Sequence, residues 1–389
     1  MNNKQTKLLL DLLSQPTAPF RESHVVRFVQ SVLNESGVPS FTDNIGNIVV
    51  GVSSRDSYIR LLRTRDKEPV RLFVAHMDHP GFHGVKWLSP NRLAIKWHGG
   101  SPVKHLSGHS VWLADDERKL AVGKLMRPAL VKGKWGIDSA QVILSQGKNQ
   151  QTLPDAKNLF GSFLFRAPVW QSGKRIYANA ADDLTGVFAI LNTAMCLWQK
   201  HKLAGQSFLG LLTRAEEVGF VGAVGHFNLG WLERRTRPLV CISLEASRTL
   251  PNAEIGKGPI VRLGDRRTVF QANGLKLLAD IADKVLPGRH QKRIMDGGSC
   301  EATAATAFGI PAIGISLPLG NYHNQGLEGG PDCPKSGGPA PEFVHMDDIA
   351  GELKLCLALM RLGLAWDDPW EKQKEQLKKN FRRYQRLLS

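Results

Sequence analysis

The run Phe208-Leu-Gly-Leu-Leu212, followed at once by Thr213-Arg-Ala-Glu216-Glu217-Val-Gly219, decides the class of this fold. Apolar runs without alternation belong to strands buried on both faces, a property of the parallel sheets of α/β proteins. An adjacent carboxylate pair directly behind such a run sits at the strand's carboxyl end, where open α/β sheets build their sites. Two neighbouring glutamates there repel each other unless a cation lies between or beside them. Taken alone, Glu216-Glu217 also fits a solvated loop, because charged side chains are mostly exposed. The rest of the chain discriminates between the two.

Working outward, helix-period stripes at Leu8, Leu9, Leu12 and Leu13, and at Val25, Val26, Phe28, Val29, Val32 and Leu33, predict two helices within residues 4–36. Strand signals follow at Phe41-Thr42, at Asn47-Ile-Val-Val-Gly51 after the turn Asp43-Asn-Ile-Gly46, and at the apolar Val70-Arg-Leu-Phe-Val-Ala75. From about residue 84 to 170 the texture changes to short alternating segments broken by Gly, Pro, Asn and Asp, the pattern of a small all-β barrel or sandwich. Helices and strands alternate again from residue 180: a helix over 184–199, strands at 207–212, 239–243 and 310–315, and helices over 221–229, 273–285 and 346–364. The architecture expected is an α/β domain in two parts, residues 1–83 and 173–366. A β domain of residues 84–172 is inserted between them, and a basic helical tail, 367–389, ends the chain.

The 389 residues exceed what one hydrophobic core normally supports, in keeping with a large and a smaller domain. No stretch has the apolar length of a membrane span, and the first residues lack a signal-peptide core, so a cytoplasmic address and no membrane partner are expected. The five cysteines are scattered and odd in number, which argues against a disulfide framework or a zinc ribbon. A formal charge of +16 invites nucleic acid as a partner. The basic residues are dispersed, however, and no nucleic-acid motif is present, so nucleic acid is not the partner expected. The one basic concentration, Glu371 to Leu388, reads as a solvated or subunit-contacting helix.

Four further groups share the placement of Glu216-Glu217. His76-Met-Asp78 follows the strand ending at Ala75, and residues two apart on extended backbone point the same way, so Asp78 can orient His76. Asn179-Ala-Ala-Asp182-Asp183 opens a helix, where an acidic cap is the bland alternative. Glu245 ends the apolar run from Cys241, and His323 lies in Asn321-Tyr-His323-Asn324, behind Pro311-Ala-Ile-Gly-Ile-Ser-Leu-Pro318. Imidazoles and carboxylates in the order His, Asp, Glu, Glu, His can hold two Zn²⁺-like ions with one carboxylate bridging. Such a pair activates a water and needs one unligated carboxylate to move its proton.

Through Ala75-His-Met-Asp-His-Pro-Gly-Phe82, Trp135-Gly-Ile-Asp-Ser139, Asp182-Asp-Leu-Thr-Gly186, Glu216-Glu-Val-Gly-Phe-Val-Gly-Ala223, Gly256-Lys-Gly-Pro259 and Gly298-Ser-Cys-Glu-Ala302, the chain resembles the tetrahedral (TET-type) glutamyl and deblocking aminopeptidases. These are dinuclear zinc metallopeptidases related to the secreted zinc aminopeptidases and the amidohydrolase-like carboxypeptidases. The resemblance covers most of residues 7–364, and its most specific element is Glu-Glu-Val-Gly followed by Gly-Ala. It implies a three-layer, mixed-sheet α/β catalytic domain with the inserted β domain used in assembly. It further implies two divalent ions, Zn with Co or Mn as alternatives. His76 and Glu245 would hold one ion and Glu217 and His323 the other, with Asp182 bridging. Glu216 would act as general base and Asp78 as the orienter of His76. Asp183 would shape a turn where relatives often hold a non-proline cis peptide. Glu301 and Asp138 match family positions near the site, with a structural role as the alternative.

The function so implied is an aminopeptidase that removes N-terminal residues from short peptides, as a homo-oligomer from dimer to dodecamer. Glu245 stands where the TET-type enzymes usually carry Asp, and Glu is common there among carboxypeptidases and deacylases. A carboxypeptidase or N-acyl amino-acid deacylase therefore stays open as an alternative. From another class, a non-catalytic peptide- or nucleic-acid-binding descendant of these enzymes is the contrasting reading.

Overall fold

The computed structural model describes residues 1–145, 154–199 and 207–388. Helix α1 (Asn3–Leu13) starts from an Asn2 capping box and buries Leu9, Leu12 and Leu13. Helix α2 (Ser23–Glu35) buries Val25, Val29 and Leu33. Strands β1 (Ser40–Thr42) and β2 (Ile48–Val50) form a hairpin. Helix α3 (Arg55–Leu62), capped by Ser54, comes next. Strand β3 (Val70–His76) is buried at every position.

The chain then leaves for the barrel. Strands β4 (Gly81–Ser89), β5 (Arg92–His98), β6 (Ser110–Ala114), β7 (Lys119–Leu130), β8 (Ile137–Leu144) and β9 (Phe160–Phe163) close in the order β4-β5-β8-β7-β6-β9. Phe82, Leu93, Ile95, Val111, Leu113, Leu125, Val142 and Phe163 share its core. Closure leaves no free edge, which alternating strands of this kind otherwise have to protect. The barrel strands thus run from Gly81 to Phe163, whereas the sequence texture suggests 84–172. The difference at the far end is β10 (Val169–Ser172), which alternates like a barrel strand but pairs with β11 (Arg175–Ala178) in a separate three-stranded sheet.

Helix α4 (Ala181–Gln199) leads back into the α/β part and is followed by β12 (Phe208–Thr213), α5 (Val221–Phe227), β13 (Leu239–Arg248), β14 (Ile260–Asp265), α6 (Ala272–Val285), β15 (Gln291–Met295), α7 (Glu301–Ala307), β16 (Ala312–Leu319), β17 (Glu342–His345), α8 (Met346–Leu359) and α9 (Glu371–Tyr384). Strand β17 completes the three-stranded sheet. The main sheet is mixed, in the order β1-β2-β12-β3-β13-β16-β14-β15. Its centre, β12-β3-β13-β16, is parallel, so four carboxyl ends open at one edge.

Alternate side chains of β3 enter different cores. Phe73 and Ala75 pack with α1, α2, α4, α6 and α8 through Leu12, Val29, Leu184, Phe188, Leu278 and Leu355. Leu72 and Val74 pack with α3, α5 and α7 through Tyr58, Leu62, Ala223, Phe227 and Ala302. No residue of α9 is buried, and Leu377, Phe381 and Tyr384 are exposed along it. Among the described residues no helix is long and apolar enough to cross a membrane.

Arg71 interrupts the apolar run of β3 and is 0% exposed. Its guanidinium donates to the carbonyls of Leu359 (3.2 Å), Arg361 (2.9 Å) and Pro69 (2.9 Å), and pairs with Glu68. It therefore caps the carboxyl end of α8, where a cation is favoured by the exposed carbonyls. Truncation strands those acceptors inside the protein. Arg71→Ala is expected to cost about 3 kcal/mol of stability. The check is denaturant unfolding, and a loss below about 1 kcal/mol, the net worth of one ordinary hydrogen bond, would remove the capping role.

Candidate metal centre

The register of the sheet brings the predicted groups together. Thr213 of β12 pairs with His76 of β3, so the loop carrying Glu216 and Glu217 leaves beside His76. On the other side Ser243 of β13 pairs with Val74, and two residues further along the same register set Glu245 level with His76. Glu245 pairs in turn with Ser316 of β16, the strand that runs on to His323. Asp182 arrives from the first turn of α4, where residues 182 and 183 depart from helical angles and their peptide bond is cis.

His76, Asp182, Glu216, Glu217, Glu245 and His323 line one cleft of about 220 Å³, together with Gly219, Phe220, Gly298, Ser299 and Tyr322. Asp182 stands between the imidazoles: its Oδ1 is 3.5 Å from His76 Nε2 and its Oδ2 3.7 Å from His323 Nε2. Glu217 Oε2 lies 3.2 Å from His323 Nε2, and Glu216 Oε2 lies 3.9 Å from His76 Nε2. Ligand atoms of His76, Asp182 and Glu217 all fall within 4.8 Å of one another.

Asp78 lies against His76 and has a second set of partners. His76 Nδ1 donates to its backbone carbonyl at 3.1 Å, while its carboxylate Oδ1 stands 3.6 Å away. The carboxylate instead accepts the backbone N–H groups of Glu216 (2.9 Å) and Glu217 (3.2 Å). Asp78 thus anchors both His76 and the glutamate pair. Glu22 extends this hold, with Oε1 accepting the Ala215 N–H at 3.1 Å and Oε2 the Arg214 Nε–H at 2.8 Å. Ala215 adopts left-handed angles, and these partners occupy the amides that such a turn turns inward.

Tyr322 and Gly100 had no role in the sequence reading. The Tyr322 ring stacks on His323 at 3.8 Å, fixing the plane of the imidazole. A Cβ on Gly100, from the loop after β5, would meet His323 Nδ1 at 2.2 Å, so the inserted barrel backs this histidine directly. His79 Nδ1 donates to the Asp182 carbonyl at 2.7 Å, and its Nε2 lies 3.1 Å from Asn324 Oδ1. Asp138 lies on β8 against Lys96 and is not part of the cleft lining. Glu301 is fully buried at the start of α7, close to Thr213.

The electrostatics are those of a crowded acidic site. Burial pushes the Glu216 carboxyl well above the ordinary range, and Glu245, Glu217 and Glu301 add to this against the pull of His76. Burial likewise raises Glu245 to about 8 and Glu301 to about 7. At His76, burial favours the neutral ring, but Glu216, Asp182 and Asp78 outweigh it and raise the imidazole well above its usual value. Burial opposes ionisation of Asp182 as well, yet His76 and His323 hold it below the usual carboxylate value.

The donor set fits divalent cations. Among the described residues, Asp182 Oδ1, Glu217 Oε1 and Glu245 Oε1 are buried without a hydrogen-bond partner. Such atoms are costly unless something cationic or protic meets them. Two imidazole nitrogens and carboxylate oxygens are the ligands that Zn²⁺ and similar ions take.

A comparison with the curated proteins finds no match. Solved structures share the fold. The TET1 peptidase of Pyrococcus horikoshii, described as able to assemble into a tetrahedron or a large octahedral shell, is 21% identical with a TM-score of 0.70 over 92% of this chain and 99% of that one. The aminopeptidase APDkam598 of the archaeon Desulfurococcus kamchatkensis gives 19% and 0.72, over 93% and 96%. A TET aminopeptidase from a marine-sediment archaeon, Thaumarchaeota archaeon SCGC AB-539-E09, gives 18% and 0.71, over 94% and 99%. The profile of the M42 glutamyl aminopeptidases matches residues 57–327, a span that includes all six acidic and imidazole groups of the cleft. The chain therefore belongs to the M42 glutamyl aminopeptidase family and is a hydrolase of peptide bonds.

Proposed function

We propose that this protein is a two-metal aminopeptidase that releases N-terminal residues from short peptides. The observation that carries the reading is the position of Asp182, whose two oxygens face different imidazoles at 3.5 and 3.7 Å. His76 and Glu245 would hold one ion, Glu217 and His323 the other, and Asp182 would bridge them. When bound, two such ions, zinc in the first instance, acidify a water and polarise the scissile carbonyl. Glu216, left unligated, takes the proton of the attacking water on its carboxylate and returns it to the departing amine. Asp78 keeps that carboxylate in place through the backbone of residue 216.

The test is a metal-depleted and metal-restored preparation assayed on free-amine, N-blocked and free-carboxylate peptides. Hydrolysis restored by about two equivalents of metal and confined to free-amine peptides is expected. Full activity without metal would overturn the two-metal reading. Preference for N-blocked or C-terminal substrates would move the assignment to a deacylase or carboxypeptidase. Glu245 in place of the usual Asp is the feature that makes this arm informative.

A cytoplasmic homo-oligomer is part of the proposal, supported by the shell assemblies described for the P. horikoshii TET1 peptidase. The catalytic part would be a three-layer unit, supported by the two helix-lined cores on opposite faces of the sheet. Light scattering checks the assembly, and a monomer at micromolar concentration would count against it.

The contact between barrel and site gives a further expectation. Gly100 has no left-handed backbone angle, so Gly100→Ala acts only through the Cβ that would meet His323. The ring has to shift, and misplacing a ligand by this much lowers activity or metal affinity roughly 10–100-fold. The same substitution in a His323→Ala background is expected to add less than about twofold, because contacting residues do not add independently. Equal effects in both backgrounds would show that Gly100 acts elsewhere.

A further inference from the structure

Glu342 is a second carboxylate hub, behind the cleft rather than in it. It opens β17 and is 0% exposed. Its Oε2 accepts the backbone N–H groups of Ala181 (2.9 Å) and Asp182 (3.1 Å), and its Oε1 accepts that of His323 (2.9 Å). One side chain therefore holds the backbones of two residues that reach the site from α4 and from the loop after β16.

That loop needs such a hold. Asn321, His323 and Asn324 all adopt left-handed angles, with φ of 56°, 52° and 57°. Non-glycine residues pay for this conformation, and it persists only where surrounding contacts over-determine it. The pairing of β17 supplies the frame. Ala178 of β11 pairs with Glu342, and Gly320 exchanges both backbone hydrogen bonds with Phe343. The strand thus touches, at adjacent residues, the chain leading into Asp182 and the chain leading into His323. The carboxylate at its start spans the gap that strand pairing leaves between them. The two carboxyl oxygens of Glu342 offer enough lone pairs for all three bonds.

We infer that Glu342 is a positioning residue that sets the separation of Asp182 from His323, and with it the geometry of the ion site on the His323 side. This rests on the two-metal reading given above. The experiment titrates metal-free full-length protein with Co²⁺, following the visible absorption of the bound ion, for wild type, Glu342→Gln and Glu342→Asp. Circular-dichroism melts report the fold of each. Glu342→Gln keeps the shape but turns one acceptor into a donor facing an N–H. Glu342→Asp keeps the carboxyl group but withdraws it by one methylene, and serves if the first variant does not fold.

Wild type is expected to bind two ions. In a folded variant the second is expected to weaken tenfold or more with an altered spectrum, while the first changes less than threefold. A lower melting temperature with both affinities unchanged would mean a merely structural carboxylate and overturn the inference, leaving the two-metal reading intact. Equal weakening of both ions would place the effect on Asp182 alone and also overturn it. Fewer than two ions in wild type would overturn both readings.

Discussion

Glu216→Gln is expected to lower kcat by about 10²–10⁴-fold, the range that a positioned general base contributes, with KM and metal content close to wild type. The substitution preserves shape, and the backbone bond from residue 216 to Asp78 does not involve the side chain. What it removes is the capacity to take a proton. The position of Glu216 makes this separable from ligation. Its Oε2 lies 3.9 Å from His76 Nε2, whereas its neighbour Glu217 reaches His323 at 3.2 Å. Without cations, burial and the surrounding carboxylates raise the Glu216 carboxyl, and cations held beside it would favour the carboxylate that a general base needs. Steady-state kinetics together with metal analysis of the same preparation decides the matter. A kcat within about threefold of wild type would move the base elsewhere, and Glu301, buried nearby and raised to about 7, would be the next carboxyl to test. Loss of metal along with kcat would instead make Glu216 a ligand.

The legible part of this molecule was the part written locally. Strands β3, β12, β13 and β16 are mostly apolar and buried along nearly their whole length, with Arg71, Ser243 and Ser316 as interruptions, and the polar residues of the site come at or just beyond their carboxyl ends. Strand β14 was not anticipated, because Arg262 and Gly264 interrupt it and its burial is achieved by pairing with β15 and β16. The far boundary of the β module was misplaced for a related reason. Alternation in Val169–Ser172 states that a strand forms but not which sheet receives it. Within the site, the groups carrying charge could be read, but the groups holding them could not. Asp78 anchors amides 138 and 139 residues away, Glu22 reaches Ala215, and Gly100 meets His323. Nothing in the spacing of a glycine or of a lone glutamate encodes a partner that far along the chain. The carboxylate of Asp78 shows the limit most plainly. Extended geometry placed it on the side of His76, and the folded loop of residues 215–217 supplied better donors.

Asp182→Asn should be more damaging to the centre than any other single change. One carboxylate faces both halves of the site, with Oδ1 toward His76 and Oδ2 toward His323, and it is the side chain that His76 and His323 keep ionised despite its burial. The amide has nearly the same shape and leaves the backbone N–H to Glu342 and the carbonyl to His79 in place, so the fold is expected to survive. It replaces one oxygen by a donor that repels a cation, and it removes the whole negative charge of the one side chain that faces both imidazoles. Both ions therefore weaken, by at least about 100-fold, the upper end of what loss of an outer partner costs a metal site. Retained metal after desalting is expected to fall below one ion per chain, and hydrolysis to fall with it. His323→Ala, by contrast, touches one half and is expected to leave one ion in place. If Asp182→Asn also kept one ion at wild-type affinity, Asp182 would be a terminal ligand, and the separation of the imidazoles would have to be spanned by Glu217 or Glu245. A double variant distinguishes these: Asp182→Asn with His323→Ala should lose no more metal than Asp182→Asn alone when the carboxylate bridges, because ligands acting as one unit do not add.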